Sequence, residues 1–367
     1  MERRGLSGVK IAMVYIGTVV GAGFATGQEI LQFFLAFGIS GAWGILVATA
    51  LFIGYGILIM QLGLAAGAVS HREILSRIGG PIFCTVMDAL IMFSLFGALT
   101  AMLAGTGALF GQEFGLSPAI GGLIMGALTA LTVLRGLRGV IRAISGVVPF
   151  LLVSVLGICV FVLLDGGLGS QMGDGGRTQF APTGLMGNWF WAAVLYGAYN
   201  ILLSAAVLAP LGAAADRRAI LRGGALGGTL LGAASLMIYL ALFRGLADMG
   251  AFEVPMLYLA GRISPLAGGL FALVLLAEIY TTAVGALYGF SARIAGPGDV
   301  GPGDAGGRQN AAPTGLIVGA TAAAFFASLL GFSNLVRYLY PLQGYGGVIF
   351  LAALLYAAWR GRLKTVK

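Results

Sequence analysis

The polar residues of one short, glycine-rich segment are the first candidates for chemistry in this sequence. Four glycines stand within residues 17–27, and Thr18, Thr26, Gln28 and Glu29 stand among and after them. Each glycine weakens a helix by about 1 kcal/mol relative to alanine, so this run favours a break. A broken helix exposes carbonyls that can bind a cation and a half-helix N-terminus that suits a carboxylate. The residues predicted to contact a solute here are Gly21, Ala22, Gly23, Phe24, Thr26 and Gly27.

An alternative explanation for the glycines is close helix packing. Small residues four positions apart, such as Gly17 and Gly21, allow two helix backbones to approach. Packing does not explain the polar residues that accompany these glycines, because threonine, glutamine and glutamate are costly in an unbroken helix that faces lipid. An interruption accounts for both features.

A second candidate segment lies at 196–200. Tyr196 and Tyr199 flank Gly197, and Asn200 follows them. We expect this helix to break as well, with the two rings closing over a solute and Asn200 supplying donors and acceptors. The alternative is an ordinary helix interface, since one glycine need not unwind a helix.

Three acidic residues fall inside apolar segments, where carboxylates are expensive. Glu278 stands beside two threonines and is interpreted as a cation- or proton-coupling group, or else as a structural carboxyl. Glu29 is assigned to a solute amine or an outer gate, or else to a solvated cavity. Asp88 is assigned to inner gating or proton release, with a structural ion pair as the alternative. His71 is interpreted as a solvated surface residue.

The composition predicts an all-α integral membrane protein. Of the 367 residues, 59% are hydrophobic and 9% are charged, and the mean hydropathy is +0.98. A soluble protein with this composition would expose apolar patches beyond what monomers tolerate. The net charge of +8 is spread in short runs, which argues against nucleic acid as a partner. Cys84 and Cys159 lie in apolar stretches and indicate neither a disulfide nor a metal site.

About ten segments are apolar enough to span a bilayer about 30 Å thick. We number them spans 1 to 10. They cover residues 8–37, 40–66, 80–111, 116–134, 143–165, 187–213, 223–245, 264–292, 313–332 and 336–359.

The positive charges orient these spans. With a cytoplasmic N-terminus, every Lys and Arg except Arg177, Arg244, Arg262 and Arg337 falls on the inner side. The positive-inside rule therefore predicts that both termini lie on the cytoplasmic side of the membrane. Tryptophans at predicted span ends agree, because their rings prefer the headgroup region.

The predicted spans divide into two halves of opposite orientation. Residues 1–165 form the first repeat, 187–359 the second, 166–186 an external loop and 360–367 a cytoplasmic tail. Span 1 then runs outward and span 6 inward, as a five-plus-five inverted repeat requires. Loop 296–312 is predicted to be a flexible linker. The stretch from Phe252 to Ile263 is predicted to be a lid or an ordinary connection.

The first-span motif carries a family resemblance. The run from Gly17 to Ile30, followed by Gln32, Phe33 and Phe34, resembles the signature of the YkvI-like family of bacterial membrane proteins. That family is similar to the amino acid, polyamine and organocation transporter superfamily, which has the LeuT fold. The resemblance implies cation-coupled symport and a five-plus-five repeat with spans 1 and 6 broken.

The resemblance also implies a sodium site. LeuT-like symporters hold sodium between carbonyls of the broken first helix and hydroxyls of the eighth. Here the matching groups are the carbonyls of Gly17 and Val20, the hydroxyls of Thr281 and Thr282, and Glu278 one turn earlier. Glu278 departs from the pattern, which usually has a small residue there.

The leading hypothesis is a secondary transporter that couples sodium to movement of an amino acid or related small amine or organic solute. Proton-coupled transport of an organic cation and a non-transporting receptor stay open. An enzyme is disfavoured because the sequence has no nucleophile motif or phosphate-binding loop. A channel is disfavoured because no filter-like repeated loop occurs.

Overall fold

The computed structural model describes residues 6–67, 75, 79–135, 147–165, 183–244, 252–295 and 313–360, and its regular elements are all helical. His71, most of loop 166–186, loop 296–312 and the tail after Arg360 lie outside the described residues. Each of the ten predicted spans contains a helix.

The helices follow one another in chain order, and six stretches of the described chain are long and apolar enough to cross a membrane. A 3₁₀ turn at Leu35–Phe37 and a π turn at Leu335–Leu339 accompany them. The α-helices are α1 (Gly8–Val19), α2 (Ala22–Ala25), α3 (Gln28–Phe33), α4 (Ser40–Ala66), α5 (Pro81–Phe114), α6 (Pro118–Leu134), α7 (Val147–Leu164), α8 (Trp189–Ala213), α9 (Arg217–Arg244), α10 (Pro255–Ile263), α11 (Pro265–Ala295), α12 (Thr314–Ser328), α13 (Phe332–Asn334) and α14 (Tyr340–Trp359).

Helix ends coincide with residues that start or stop helices. α5 and α6 begin at Pro81 and Pro118, where the missing N–H of proline costs nothing. α4 and α5 are followed by Gly67 and Gly115 in the left-handed region, at φ 60° and 64°. α9 begins at Arg217, six residues before the predicted span, so Arg217, Arg218 and Arg222 occupy its first turns, and it ends at Arg244.

The prediction that span 6 is broken is wrong. α8 runs without interruption from Trp189 to Ala213, through Gly197. A Cβ at Gly197 would lie 2.8 Å from Cδ1 of Leu51 in α4, so this glycine serves close packing. The roughly 1 kcal/mol that one glycine costs a helix is offset by burial of α8 against α4 and α14.

Glycines set how closely the helices around α8 approach. A Cβ at Gly63 of α4 would overlap the carbonyl oxygen of Ala209 in α8, and one at Gly212 of α8 would overlap that of Met60 in α4. At Gly344 of α14, a Cβ would lie 2.8 Å from the carbonyl oxygen of Leu195. Small residues at such crossings are typical of membrane helix pairs.

α1 is tied to this group of helices by a tyrosine. The buried hydroxyl of Tyr15 donates to the carbonyl oxygen of Phe52 in α4, at 2.8 Å. Its ring also occupies the space beside Gly56 of α4 and Gly227 of α9, where a Cβ would lie 2.7 and 2.9 Å from it. α1 is therefore fixed to α4 and α9.

A matched pair of glycines in α4 tests the packing. Gly63→Ala forces a methyl group into the α8 backbone and should cost about 1–3 kcal/mol, as overpacking does. Gly54→Ala, where nothing lies within 4 Å of the new Cβ, should be neutral or slightly stabilising. The measurement is the melting temperature of both variants in one detergent. Equal melting temperatures would show that the α4–α8 contact is not glycine-limited.

Candidate functional site

The first span is interrupted twice, which confirms the predicted break. α1 ends at Val19, and Val20 and Gly21 are extended, with ψ of 108° and −173°. α2 then forms a single turn. Gly27 follows with φ 81°, a left-handed conformation that glycine adopts without Cβ strain. α3 continues from there.

The first interruption leaves backbone carbonyls without partners. The N–H of Val20 still donates to the carbonyl of Ile16 at 2.8 Å, and the N–H of Ala25 donates to Gly21 at 3.0 Å. The carbonyls of Gly17 and Val20 accept no hydrogen bond from the described residues. A carbonyl left unsatisfied away from water costs several kcal/mol, so these oxygens favour a ligand.

α11 brings hydroxyl groups to the same interruption. The Cβ position of Gly21 lies 3.9 Å from Oγ1 of Thr282, and α11 packs against α2. Thr281, one residue earlier, is buried and donates its hydroxyl to the carbonyl of Glu278 at 2.9 Å. The threonines predicted from the sequence therefore lie on the helix that faces the break.

Glu278 is buried without a counter-charge. Its side chain is 3% exposed, and its Oε2 has no hydrogen-bond partner among the described residues. It stands four residues before Thr282, so the two side chains share one face of α11. Burying an ionised carboxylate without a partner is costly, so this group requires a proton or a cation.

Glu29 and Tyr199, which the sequence assigned to separate roles, meet in one site. Glu29 lies in the first turn of α3 and is 6% exposed. The hydroxyl of Tyr199 in α8 donates to its Oε2 at 2.5 Å. A hydrogen bond to a buried charged acceptor is short and strong, so this contact joins the broken first span to α8.

Aromatic rings pack around Tyr199, which bonds to this carboxylate. The rings of Tyr196 and Tyr199 have centroids 5.6 Å apart, and Tyr340 lies 5.3 Å from Tyr199. Phe33 lies 5.5 Å from Tyr196 and 5.8 Å from Tyr199. We call the following set the aromatic box: Phe33, Phe34, Phe52, Tyr196, Tyr199 and Tyr340.

Tyr340 belongs to this site but was not predicted. It begins α14 after the π turn, far along the chain from every other member of the box. The neighbouring Pro341 signals a helix start, but no local pattern in the sequence points its ring toward Glu29.

Gly23 provides room beside the carboxylate. A Cβ there would overlap Oε1 of Glu29 and would lie 3.3 Å from the hydroxyl oxygen of Tyr340. Its neighbours Ala22 and Phe24 are buried in the core. Of the residues predicted in the second part of the break, Gly23 is thus the one placed against a charged group.

Two predicted solute ligands bond to nearby backbone. Thr26 donates its hydroxyl to the carbonyl of Gly23 at 2.8 Å and accepts the N–H of Gln28 at 3.3 Å. Asn200 donates from its side-chain amide to the carbonyl of Tyr196, one turn earlier, at 3.0 Å. Both side chains stabilise the backbone around the site.

The stretch predicted to be a lid or a connection contains a short helix, α10, that packs on the break. The N–H of Met256 in α10 donates to the carbonyl of Thr26 at 3.0 Å. A Cβ at Gly27 would lie 2.9 Å from Cγ of Met256. Met256, Leu257 and Leu259 are buried. These contacts fit both the lid and the ordinary connection.

Two glutamines that were not among the predicted site residues bond to the segment just before α10. Gln28 donates to the carbonyl of Phe252 at 3.1 Å and to the hydroxyl of Ser333 at 2.7 Å. Gln112 of α5 exchanges two hydrogen bonds with the backbone of Val254, at 3.1 and 3.2 Å. A signal existed in the sequence, because the tripeptide Gly-Gln-Glu occurs at both 27–29 and 111–113.

Glu253 adds a third contact of this segment, which joins it to α13. Its Oε2 accepts the N–H of Phe332 at 3.4 Å. Burial raises the pKa of Glu253, although the backbone N–H groups of Phe332 and Ser333 act in the opposite direction. The connection before α10 is therefore held to α5 and to α13.

Asp88 lies apart from the box and forms an ion pair with Arg293. The two side chains join α5 to α11, and each is about one-fifth exposed. The predicted gating residue therefore has a basic partner on the helix that also carries Glu278. This pairing fits both the gating interpretation and the structural alternative.

Solved structures show which fold these elements form. The chain is similar to Mhp1 in an inward-facing conformation, at 16% identity and a TM-score of 0.57, over 93% of this chain and 73% of that one. It is similar to a Na⁺-coupled sialic acid symporter, at 14% identity and 0.57, over 92% and 76%. It is also similar to MhsT in complex with L-phenylalanine, at 16% and 0.52, over 94% and 98%. The fold is the LeuT fold.

Relatives by sequence cover nearly the whole chain. No protein-family model matches it. The membrane protein YkvI of Bacillus subtilis (strain 168) is 32% identical over 362 residues, which is 97% of each chain. The protein YyaD of the same organism is 25% identical over 352 residues, or 95% of this chain and 96% of that one. With its broken first span and LeuT fold, the chain belongs to the YkvI-like family of bacterial membrane proteins.

Proposed function

We propose that this protein is a sodium-coupled secondary transporter that moves an amino acid or related small amine across the cytoplasmic membrane by alternating access. The observation that carries the proposal is the interruption at Val20 and Gly21, which lies beside Thr282 of α11 and leaves the carbonyls of Gly17 and Val20 without a hydrogen bond from the described residues. In this proposal the ten spans form a five-plus-five inverted repeat, with α1 to α7 in one half and α8 to α14 in the other.

The proposed sodium site consists of oxygen ligands. The carbonyls of Gly17 and Val20 are available, and the proposed hydroxyl ligands are those of Thr281 and Thr282. Glu278 would supply negative charge one turn away. Oxygen-only ligands suit a hard cation such as sodium. The similarity in fold to a Na⁺-coupled symporter supports this choice.

The proposed solute site is the aromatic box with Glu29. The proposed lid α10 follows Val254, which bonds to Gln112 near one end of α5, and the Asp88–Arg293 ion pair joins α11 to the other end of α5. Alternating access requires a site that closes toward each side of the membrane in turn. Breaking the lid contacts or the ion pair would supply the two openings.

Proton coupling is the alternative. The observation that favours it is the Oε2 of Glu278, which has no partner among the described residues and which a proton can neutralise as well as sodium can.

Flux measurements distinguish sodium coupling from proton coupling. The purified protein is reconstituted in liposomes, and uptake of labelled amino acids and amines is followed under a sodium gradient, a proton gradient or neither.

We expect uptake under the sodium gradient to exceed uptake under the other two conditions. Uptake driven by the proton gradient alone would replace sodium with protons in the proposal. Uptake that is independent of both gradients would contradict coupled transport.

The double variant Thr281→Ala with Thr282→Ala tests the sodium site. The change removes two proposed oxygen ligands of the cation, so the sodium concentration for half-maximal uptake should rise roughly 10-fold or more, which corresponds to about 1.4 kcal/mol or more of binding free energy. Thr321→Ala is the control, because its buried hydroxyl bonds within α12 to Ile317. Unchanged sodium dependence in the double variant would place the cation elsewhere.

The proposed orientation, with both termini cytoplasmic, is tested by cysteine labelling in intact cells. Cys84 and Cys159 are free thiols and are first replaced by alanine. Ser117→Cys, in the connection between α5 and α6, should react with a membrane-impermeant maleimide from outside. Arg218→Cys, at the start of α9, should react only after the cells are permeabilised. The reverse pattern would invert the orientation.

A further inference from the structure

We infer that Glu29, inside the aromatic box, is an ammonium-binding site, and that the transported solute is a small organic cation that lacks a carboxylate. The inference rests on the proposed transport function and narrows its substrate class from amino acids and amines to amines.

The charges around the site lead to this inference. Glu29 and Glu278 are both buried, and no Lys or Arg nitrogen of the described residues lies within 4 Å of either carboxylate. Two buried negative charges without basic partners require two positive charges or protons. Sodium beside Glu278 provides one charge. An ammonium group at Glu29 provides the second.

Glu29 has an oxygen available for this ammonium group. Tyr199 occupies Oε2, whereas Oε1 accepts no hydrogen bond from the described residues. Oε1 faces Gly23, where the missing side chain leaves the hydroxyl of Tyr340 close by. The carboxylate and this hydroxyl oxygen can both accept N–H bonds from a primary ammonium.

The aromatic box fits the same chemistry. Ammonium groups are attracted to the faces of tyrosine and phenylalanine rings by about 0.5–2 kcal/mol, more when water is excluded. Tyr199 contacts Glu29 directly, the hydroxyl of Tyr340 lies near its Oε1, and Phe33, Phe34 and Tyr196 of the same box are almost completely buried. Such rings also accept the apolar part of an amine.

A carboxylate on the solute would be unfavourable in this site. It would enter beside the buried carboxylate of Glu29. Three described arginines of the second half are engaged elsewhere: Arg244 donates to the carbonyls of Val162 and Leu163, Arg262 donates to the hydroxyl of Tyr258, and Arg293 pairs with Asp88. The site therefore discriminates against amino acids and favours their decarboxylated counterparts.

Binding to the full-length protein in nanodiscs tests the inference, at saturating sodium and without a gradient. The probes are two matched pairs, 2-phenylethylamine with phenylalanine and isopentylamine with leucine. We expect at least one amine to bind 10-fold or more tightly than its amino acid. Glu29→Gln, which can still accept from Tyr199, should weaken amine binding by about 10- to 100-fold, because a charged hydrogen bond is lost.

Two tyrosine variants keep the test decisive if Glu29→Gln does not fold. Tyr340→Phe removes the second acceptor and should weaken binding of primary amines about 5-fold, in line with one hydrogen bond of about 1 kcal/mol. Tyr288→Phe, at a partly buried tyrosine of α11 outside the box, should leave binding unchanged.

Equal affinity for amine and amino acid, unchanged amine affinity in Glu29→Gln, or no binding of any probe would overturn the inference. Sodium-driven uptake of phenylalanine or leucine that Glu29→Gln leaves intact would overturn the ammonium site and leave the transport function standing. Absence of gradient-driven uptake for both solute classes would overturn both.

Discussion

The hydrocarbon interior of a bilayer offers no hydrogen-bond partners, and yet the helix of the first span is interrupted there. A helix satisfies its own backbone, so each interruption creates groups that must find other partners. At Thr26 and Gly27 the helix α10 supplies one, because Met256 donates to the freed carbonyl of Thr26. At the first interruption the carbonyls of Gly17 and Val20 accept no hydrogen bond from the described residues, and Thr282 of α11 lies beside Gly21. The second interruption is thus partnered by protein, whereas the first leaves two carbonyl oxygens open to a ligand.

Close packing of the helices around α8 stabilises the site at the broken span. α8 passes through the centre as an intact helix and contacts α4 and α14 at glycines, so its tyrosines reach Glu29 without any unwinding of their own. The box combines residues from four helices, α3, α4, α8 and α14. The hydrogen bond from Tyr199 stabilises the carboxylate there, and it is stronger than in water because the neighbouring rings lower the local dielectric constant.

The sequence indicated the spans and the broken first helix because both depend on local properties: apolar length, glycine density and polar residues out of place. It also indicated the threonines opposite the break, through the family resemblance. It misjudged α8, since whether a glycine unwinds a helix or admits a neighbour depends on what packs there, and Leu51 lies 146 positions before Gly197. The position of Tyr340 and the pairing of Glu29 with Tyr199 could not be predicted, for the same reason. They are contacts between distant segments, which local patterns do not encode.

The two ends of the first span are attached to different parts of the molecule. Tyr15 fixes α1 to α4 and α9, whereas Thr26 and Gln28 fix the part of the span after the breaks to α10 and to Ser333 of α13. Between these attachments, the peptide unit that joins Val20 to Gly21 makes no hydrogen bond with the described residues that would resist rotation about φ and ψ. If one attached part moves relative to the other, the backbone between Val20 and Gly21 must rotate. An ion bound to the carbonyls of Gly17 and Val20 would therefore restrain that motion.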